Sequence, residues 1–88
     1  MRMIEQYPEL VNDSVDISER IALCSDLMYA HMNMLANNWC KKHPSYHGVR
    51  KTRVNCQQCF NIRQLRLELE ELEQLYAAMI VSVVEGKQ

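Results

Sequence analysis

The chain has 88 residues, of which 48% are hydrophobic and 24% charged, with a formal net charge of -1. This length allows one domain with a small core, and such domains often need a metal, a disulfide or a partner subunit. No stretch approaches the roughly 20 apolar residues of a membrane helix, so we expect a soluble protein. The first residues, MRMIEQYPEL, lack the apolar run of a secretory signal, and we expect a reducing, cytoplasmic location.

The small net charge hides an uneven distribution along the sequence. Seven basic residues and no Asp or Glu lie between Cys40 and Arg66, and all eleven acids lie outside that range. We therefore expect one basic region on an otherwise acidic molecule.

Residues 1–15 are predicted to form an N-terminal tail or a short helix. Pro8 suits the first position of a helical turn, and Leu10, Val11 and Val15 could contact an apolar face of the main fold. A flexible tail is the alternative for the first few residues.

A first long helix is predicted over about residues 17–38. Asp16 can cap its free amides, and Glu19 completes a capping-box-like pair. With its flanking apolar residues, the main apolar stripe covers about half the circumference, which is more than one neighbouring helix covers. The stripe consists of Ile17, Ile21, Cys24, Met28, His31, Leu35 and Trp39.

Two residues of this stripe invite a functional interpretation. Cys24 lies sixteen residues before Cys40, or about 24 Å along a continuous helix, so we interpret it as a buried structural thiol. His31 is predicted to face a partner helix with one ring nitrogen hydrogen-bonded. A catalytic or pH-sensing role for His31 is the less favoured alternative.

The segment between the helices, residues 39–60, is the most informative part of the sequence and is called the zinc loop below. Cys40 and His43 are separated by two residues, as are Cys56 and Cys59, and twelve residues lie between the pairs. Three thiolates and one imidazole at this spacing favour a structural Zn²⁺ over magnesium, calcium or copper(II). The alternative is four unconnected residues, with the thiols buried as small hydrophobes.

A second long helix is predicted over about residues 57–85, with Gly86 as a left-handed stop. Its apolar seam alternates spacings of three and four, and we assign it to an interface with a second copy or a partner. The seam consists of Ile62, Leu65, Leu69, Leu72, Tyr76, Met79 and Val83. A run of acids on this helix is interpreted as a solvated face and comprises Glu68, Glu70, Glu71 and Glu73.

These elements predict an all-α fold over residues 16–88, an antiparallel two-helix hairpin with the zinc knuckle at its tip. Trp39 and Phe60 are expected to pack beneath the metal. Because the hairpin leaves apolar flanks uncovered, we expect a homodimer that forms a four-helix bundle, or a docking surface for another protein.

The zinc loop combines Cys-x-x-His-Pro-x-Tyr, a basic segment with two arginines, and Cys-x-x-Cys followed by an aromatic residue. This pattern resembles a zinc-binding motif of small phage-encoded proteins, mostly of unknown function. Such proteins more often have Trp and Pro where this chain has Phe60 and Thr52. The resemblance implies zinc and a phage setting rather than an activity. It rests on Cys40, His43, Pro44, Tyr46, Arg50, Arg53, Cys56, Cys59 and Phe60.

Catalysis is the least favoured function. Four protein ligands leave zinc no open position for water, which argues against a hydrolase. A small zinc nuclease would need His43 to swing away or His47 to act as a base, and the loop contains no acid to assist either. We predict no enzyme activity and no small-molecule substrate.

The basic zinc loop is predicted to bind nucleic acid through phosphate contacts and stacking of an aromatic ring. The alternative is an inhibitor or adaptor that docks on a host nucleic-acid-handling or defence enzyme, and a loop that is merely solvated is the third possibility. The sequence thus predicts a small phage-encoded zinc-binding regulator in the host cytoplasm. The residues assigned to nucleic-acid or partner binding are Lys41, Lys42, Tyr46, Arg50, Lys51 and Arg53.

Overall fold

The computed structural model describes residues 2–86. This part of the chain contains helices and no strand, which confirms the predicted all-α class. The elements are α1 (Met3–Gln6), a 3₁₀ helix (Pro8–Val11), α2 (Ile17–Asn37) and α3 (Gln57–Glu85). None of the helices in residues 2–86 is apolar over a length that could cross a membrane. Met1, Lys87 and Gln88, which the sequence assigns to the tail and to the end of the hairpin, lie outside the described residues.

The two long helices, α2 and α3, pack against each other in antiparallel orientation. Cys24 of α2 donates its thiol hydrogen to the carbonyl of Leu72, at 3.2 Å. Further along α2, His31 reaches Glu68, which lies earlier on α3. The resulting hairpin is elongated, with extents of 52 × 21 × 20 Å, and the zinc loop joins the helices at one end.

The predicted caps at the start of α2 and at the end of α3 are both wrong. The Asp16 side chain makes no hydrogen bond to the free amides of α2, because it accepts the hydroxyl hydrogen of Ser18 instead. Gly86 has a φ of -83°, so it is not left-handed, and its N–H donates to the Ser82 carbonyl at 2.7 Å. The chain therefore continues α3 with one right-handed turn at this end.

The N-terminal segment, residues 2–15, covers one side of the hairpin. Met3 and Leu10 are each 1% exposed and pack in one cluster with Cys24, Leu72 and Met79. Burial of an apolar side chain of this size contributes about 1.5–3 kcal/mol relative to exposure. The segment thus supplies part of the cover that the sequence assigns to a second copy of the chain.

The seam of α3 is mostly an internal feature of the chain. Leu65 and Tyr76 are half-buried and Val83 is exposed, whereas the four remaining seam residues are buried. Those four are core residues rather than a surface for a second copy, because α2, the N-terminal segment and the zinc loop already cover them. They are Ile62, Leu69, Leu72 and Met79.

His31 and two acids of α3 form specific polar contacts inside the hairpin. His31 Nδ1 lies 2.8 Å from the Leu27 carbonyl and Nε2 lies 2.9 Å from a Glu68 oxygen, so both ring nitrogens are bonded rather than one. Glu71 accepts the backbone N–H of Met3 at 3.0 Å. Because the side chains of Glu68 and Glu71 are only 16% and 17% exposed, the interpretation of the acidic run as a solvated face is wrong for these two residues.

Candidate metal centre

The antiparallel hairpin brings the two ligand pairs to the same end of the molecule. Cys40 follows the end of α2, and a turn closed by the His43 N–H and the Cys40 carbonyl, at 3.2 Å, places the imidazole beside the thiol. Cys56 is the N-cap residue of α3, and Cys59 lies in the first turn of that helix. A tight turn therefore brings Cys40 and His43 together, and the first turn of α3 brings Cys56 and Cys59 together.

The four side chains converge on one point. Their ligand atoms all lie within 4.8 Å of one another. His43 Nδ1 is 3.4 Å from the sulfurs of both Cys40 and Cys59, and the Cys40 and Cys56 sulfurs are 3.6 Å apart. A tetrahedron with Zn–S of about 2.3 Å and Zn–N of about 2.05 Å has edges of roughly 3.8 Å between sulfurs and 3.6 Å between sulfur and nitrogen. The cluster matches these edges to within about 0.2 Å for the three closest pairs.

The crowded thiols differ in acidity. The backbone N–H of Cys59, with help from neighbouring side-chain hydrogen bonds, lowers the pKa of the Cys56 thiol to about 6. Burial and the adjacent sulfurs raise the pKa of the Cys59 thiol to about 12. Without a cation, these two pKa values favour a thiolate at Cys56 and a protonated thiol at Cys59. A bound divalent ion offsets the charge repulsion between neighbouring thiolates, and its thiol ligands therefore bind in the deprotonated form.

A small apolar cluster supports the ligands from within the hairpin. Cys40 and Cys59 are 3% and 1% exposed and pack on Ile62, with Leu35 and Tyr46 at the edge of the cluster. The cluster therefore buries two of the four candidate ligands, Cys40 and Cys59, beside Ile62 of α3.

The prediction that Trp39 and Phe60 pack beneath the metal is wrong. Trp39 is 58% exposed and Phe60 is 40% exposed. The backbone of Asn38 is non-helical, with φ of -125° and ψ of 87°, so Trp39 no longer continues the apolar stripe of α2. The space beneath the site belongs to Ile62, Leu35 and Tyr46 instead.

The middle of the zinc loop is docked on α3, a feature that the sequence analysis missed. Gly48 has a φ of +78°, and a Cβ at this position would lie 2.8 Å from the Ile62 carbonyl oxygen. Arg63 Nη1 donates to the carbonyls of Gly48 and Val49 at 2.8 and 2.7 Å, and Arg66 Nε donates to the His47 carbonyl at 3.2 Å. The sequence features that could have indicated this docking are the glycine in the loop and the two arginines one turn apart on α3.

The residues predicted to bind nucleic acid or a partner fall into two groups. The five cations are exposed, and within residues 2–86 no hydrogen bond or ion pair engages their side chains. Tyr46 is half-buried, and its hydroxyl donates to the carbonyl of Arg50, so its ring is held in place within the loop. The cations are Lys41, Lys42, Arg50, Lys51 and Arg53.

Two clefts flank the ligand cluster. The first, called the Tyr46 cleft, has a volume of about 340 Å³ and is lined by His43, Tyr46, Arg50, Lys51, Thr52, Arg53, Val54 and Cys59. The second, called the Trp39 cleft, has a volume of about 420 Å³ and is lined by Trp39, Cys40, Lys41, Lys42, Cys56 and Gln58. Each cleft therefore combines an aromatic ring, several cations and two of the four candidate ligands.

The fold and the cluster together define a helical hairpin with a Cys₃His site that can hold a metal ion. Comparison of the sequence with protein-family models and with curated proteins, and of the fold with solved structures, finds no match. The interpretation of function therefore rests on the residues of this chain.

Proposed function

We propose that this protein binds a structural Zn²⁺ and uses the basic zinc loop held by that ion to bind nucleic acid. The motif resemblance implies a phage setting, and we propose in addition that the protein acts as a small regulator in the host cytoplasm. The proposal has two parts, the identity of the metal and the identity of the partner, and each has its own support.

The donor set and its spacing support zinc in a structural role. Three sulfurs and one imidazole nitrogen form a soft donor set. Structural zinc binds such a set tetrahedrally, and four protein ligands then leave no position for a water molecule. Among residues 2–86, no Asp or Glu lines either cleft beside the ligands. The site therefore lacks both an open metal position and a carboxylate base, which favours a role without catalysis.

The observation that carries nucleic-acid binding is the contrast between two groups of basic residues. Outside residues 41–53, the described arginines already have partners within the chain. Arg2 lies 3.4 Å from Glu71, Arg20 donates to the Val15 carbonyl, and Arg63 and Arg66 bind the loop carbonyls. The five cations around the metal centre have none within residues 2–86, so they are available for phosphate contacts.

The salt dependence of binding tests this proposal. If the five cations neutralise phosphates, log K should fall with log[salt] with a slope of about -3.5 to -4.5. The double substitution Arg50→Gln/Arg53→Gln should reduce this slope by about 1.4–1.8. Ser25→Glu/Asn33→Glu makes the same change in net charge on the exposed face of α2 and is the matched control. Equal loss of binding in both variants, or a flat salt response, would contradict the proposal.

Docking on a protein is the second candidate, and exposed apolar side chains favour it. Tyr29 and Met32 on α2 are 64% and 48% exposed, and Val81 and Val84 on α3 are 50% and 66% exposed. A host enzyme or a second copy of the chain could cover these residues. A pull-down from host lysate that survives nuclease treatment, and that is lost on Met32→Glu but not on Arg53→Gln, would establish this candidate instead.

A further inference from the structure

The metal centre divides its surroundings into two similar halves. The Tyr46 cleft is walled by the ligands His43 and Cys59, and the Trp39 cleft by the ligands Cys40 and Cys56. Since all four ligand atoms lie within 4.8 Å of one another, the two clefts are separated by little more than the metal site itself. A flexible chain crossing the site could therefore occupy both clefts.

Each cleft has an aromatic ring on which a planar group could stack. Trp39 is 58% exposed, follows the end of α2 and adds nothing to either apolar cluster of the hairpin. The ring of Tyr46 is held by its hydroxyl bond to the Arg50 carbonyl and forms part of the other cleft. Cations accompany both rings, with Lys41 and Lys42 beside Trp39 and Arg50, Lys51 and Arg53 beside Tyr46. Stacking rings interleaved with cations are typical of single-strand binding surfaces.

The size of the clefts and the location of the cations favour unpaired bases over a duplex. Volumes of about 340 and 420 Å³ are near the lower limit of the roughly 300–1,000 Å³ found for small-molecule sites, so each cleft suits one planar group. The five available cations lie on irregular backbone, while Arg63 and Arg66 of α3 are engaged by the loop. Within residues 2–86, no helix presents a basic face of the kind that enters a major groove.

We propose that the two clefts bind unpaired bases of one single-stranded nucleic acid, one base on each side of the metal centre. Trp39 and Tyr46 stack on the bases, and the cations of each cleft contact the adjacent phosphates. The inference rests on the proposed function, because it specifies the class of nucleic acid that the zinc loop takes.

The only tryptophan of the chain provides a direct measurement on the unmodified protein. Zinc-loaded protein is titrated with oligo-dT, and in parallel with a hairpin duplex of equal phosphate number, while tryptophan fluorescence is recorded. We expect oligo-dT to quench Trp39 and to reduce its accessibility to acrylamide, since stacking covers an exposed ring. The duplex should bind more weakly and leave the emission unchanged.

Variants separate stacking from charge. Trp39→Leu and Tyr46→Leu each remove a ring but keep an apolar side chain, and each should weaken oligo-dT binding about tenfold or more, given the energy of base–aromatic stacking. Tyr29→Leu removes an aromatic residue of α2 that is exposed, as Trp39 is, and that lies outside both clefts, so this variant should bind like the unmodified protein. Labelled oligonucleotide anisotropy measures all three, after circular dichroism has shown that each variant is folded.

The outcomes distinguish this inference from the proposed function. Equal affinity for duplex and single strand, with no change in Trp39 emission, would leave nucleic-acid binding intact and overturn the two-cleft inference. Absence of binding to either nucleic acid would overturn both. Binding to polyglutamate as tight as to oligo-dT would also overturn both, since it would assign the cations to an acidic protein surface.

Discussion

Replacement of Gly48 by alanine tests how the zinc loop is held against α3. Gly48 is buried, has a φ of +78°, and lies against the backbone of Ile62. An alanine must adopt this left-handed conformation at a cost of about 1–2 kcal/mol. Its Cβ would also lie 2.8 Å from the Ile62 carbonyl oxygen, a backbone atom that cannot move without distorting α3. The loop must therefore shift away from the helix.

The free-energy cost of this shift follows from the hydrogen bonds that it breaks. Lifting residues 47–49 breaks the bonds from Arg63 and Arg66, and a hydrogen bond to a charged group contributes about 1.5–3 kcal/mol. These bonds are partly exposed, and water can replace them, so their net contribution is smaller. Together with the cost of the left-handed conformation, we expect the folded loop to lose about 2–4 kcal/mol of stability. Because metal binding and loop folding are coupled, zinc affinity should fall by about 30- to 1,000-fold.

Chelator competition measures this change. Zinc affinity is determined for the unmodified protein, Gly48→Ala and Val49→Ala, with far-ultraviolet circular dichroism to monitor the helices. Val49 is 62% exposed and contributes only its backbone carbonyl to Arg63, so Val49→Ala should bind zinc normally. Gly48→Ala should lose affinity while keeping the helical signal of α2 and α3. Unchanged affinity in Gly48→Ala would refute the docking of the loop on Ile62.

Three further predictions address the hairpin. Leu72→Ala should lower the free energy of unfolding in urea by about 2–5 kcal/mol because Leu72 is fully buried, whereas Leu67→Ala, at 41% exposure, should cost less than about 1 kcal/mol. Leu10→Ala should lower the free energy of unfolding by a similar amount, about 2–5 kcal/mol, because Leu10 of the N-terminal segment is buried in the core. The exposed Val11 is the control, and equal urea midpoints for Leu10→Ala and Val11→Ala would exclude that packing. Cys24→Ser should retain one zinc per chain by elemental analysis, because Cys24 lies outside the ligand cluster.

The cluster of candidate metal ligands and the long helices could be predicted from the sequence because both depend on local spacing. Cys40 and His43 meet through a single turn, and Cys56 and Cys59 through one helical turn, so short-range geometry brings each pair together. The apolar periodicity likewise placed Leu72 on the inner face of α3. Antiparallel packing of two such helices then brings the pairs to one end.

Contacts between distant segments could not be predicted in this way. Met3 and Leu10 lie in elements too short to show a periodicity. The sequence therefore predicted contact of Leu10 with the main fold only as an alternative to a flexible tail, and it gave no indication that Met3 is buried. In the sequence, Glu68 is one of several acids in a charged run, and only the packing of α2 on α3 shows that it pairs with His31. Trp39 follows the spacing of the α2 stripe, but the helix ends at Asn37 and the ring turns outward. In each case, tertiary packing overrides a local pattern.

The central claim is that Cys40, His43, Cys56 and Cys59 close around one zinc ion. Zinc X-ray absorption spectroscopy on protein kept reduced, combined with elemental analysis, tests it most directly. We predict one zinc per chain, with three sulfurs at about 2.3 Å and one nitrogen at about 2.0–2.1 Å. A metal-free reduced protein, or a zinc shell dominated by oxygen and nitrogen, would contradict it.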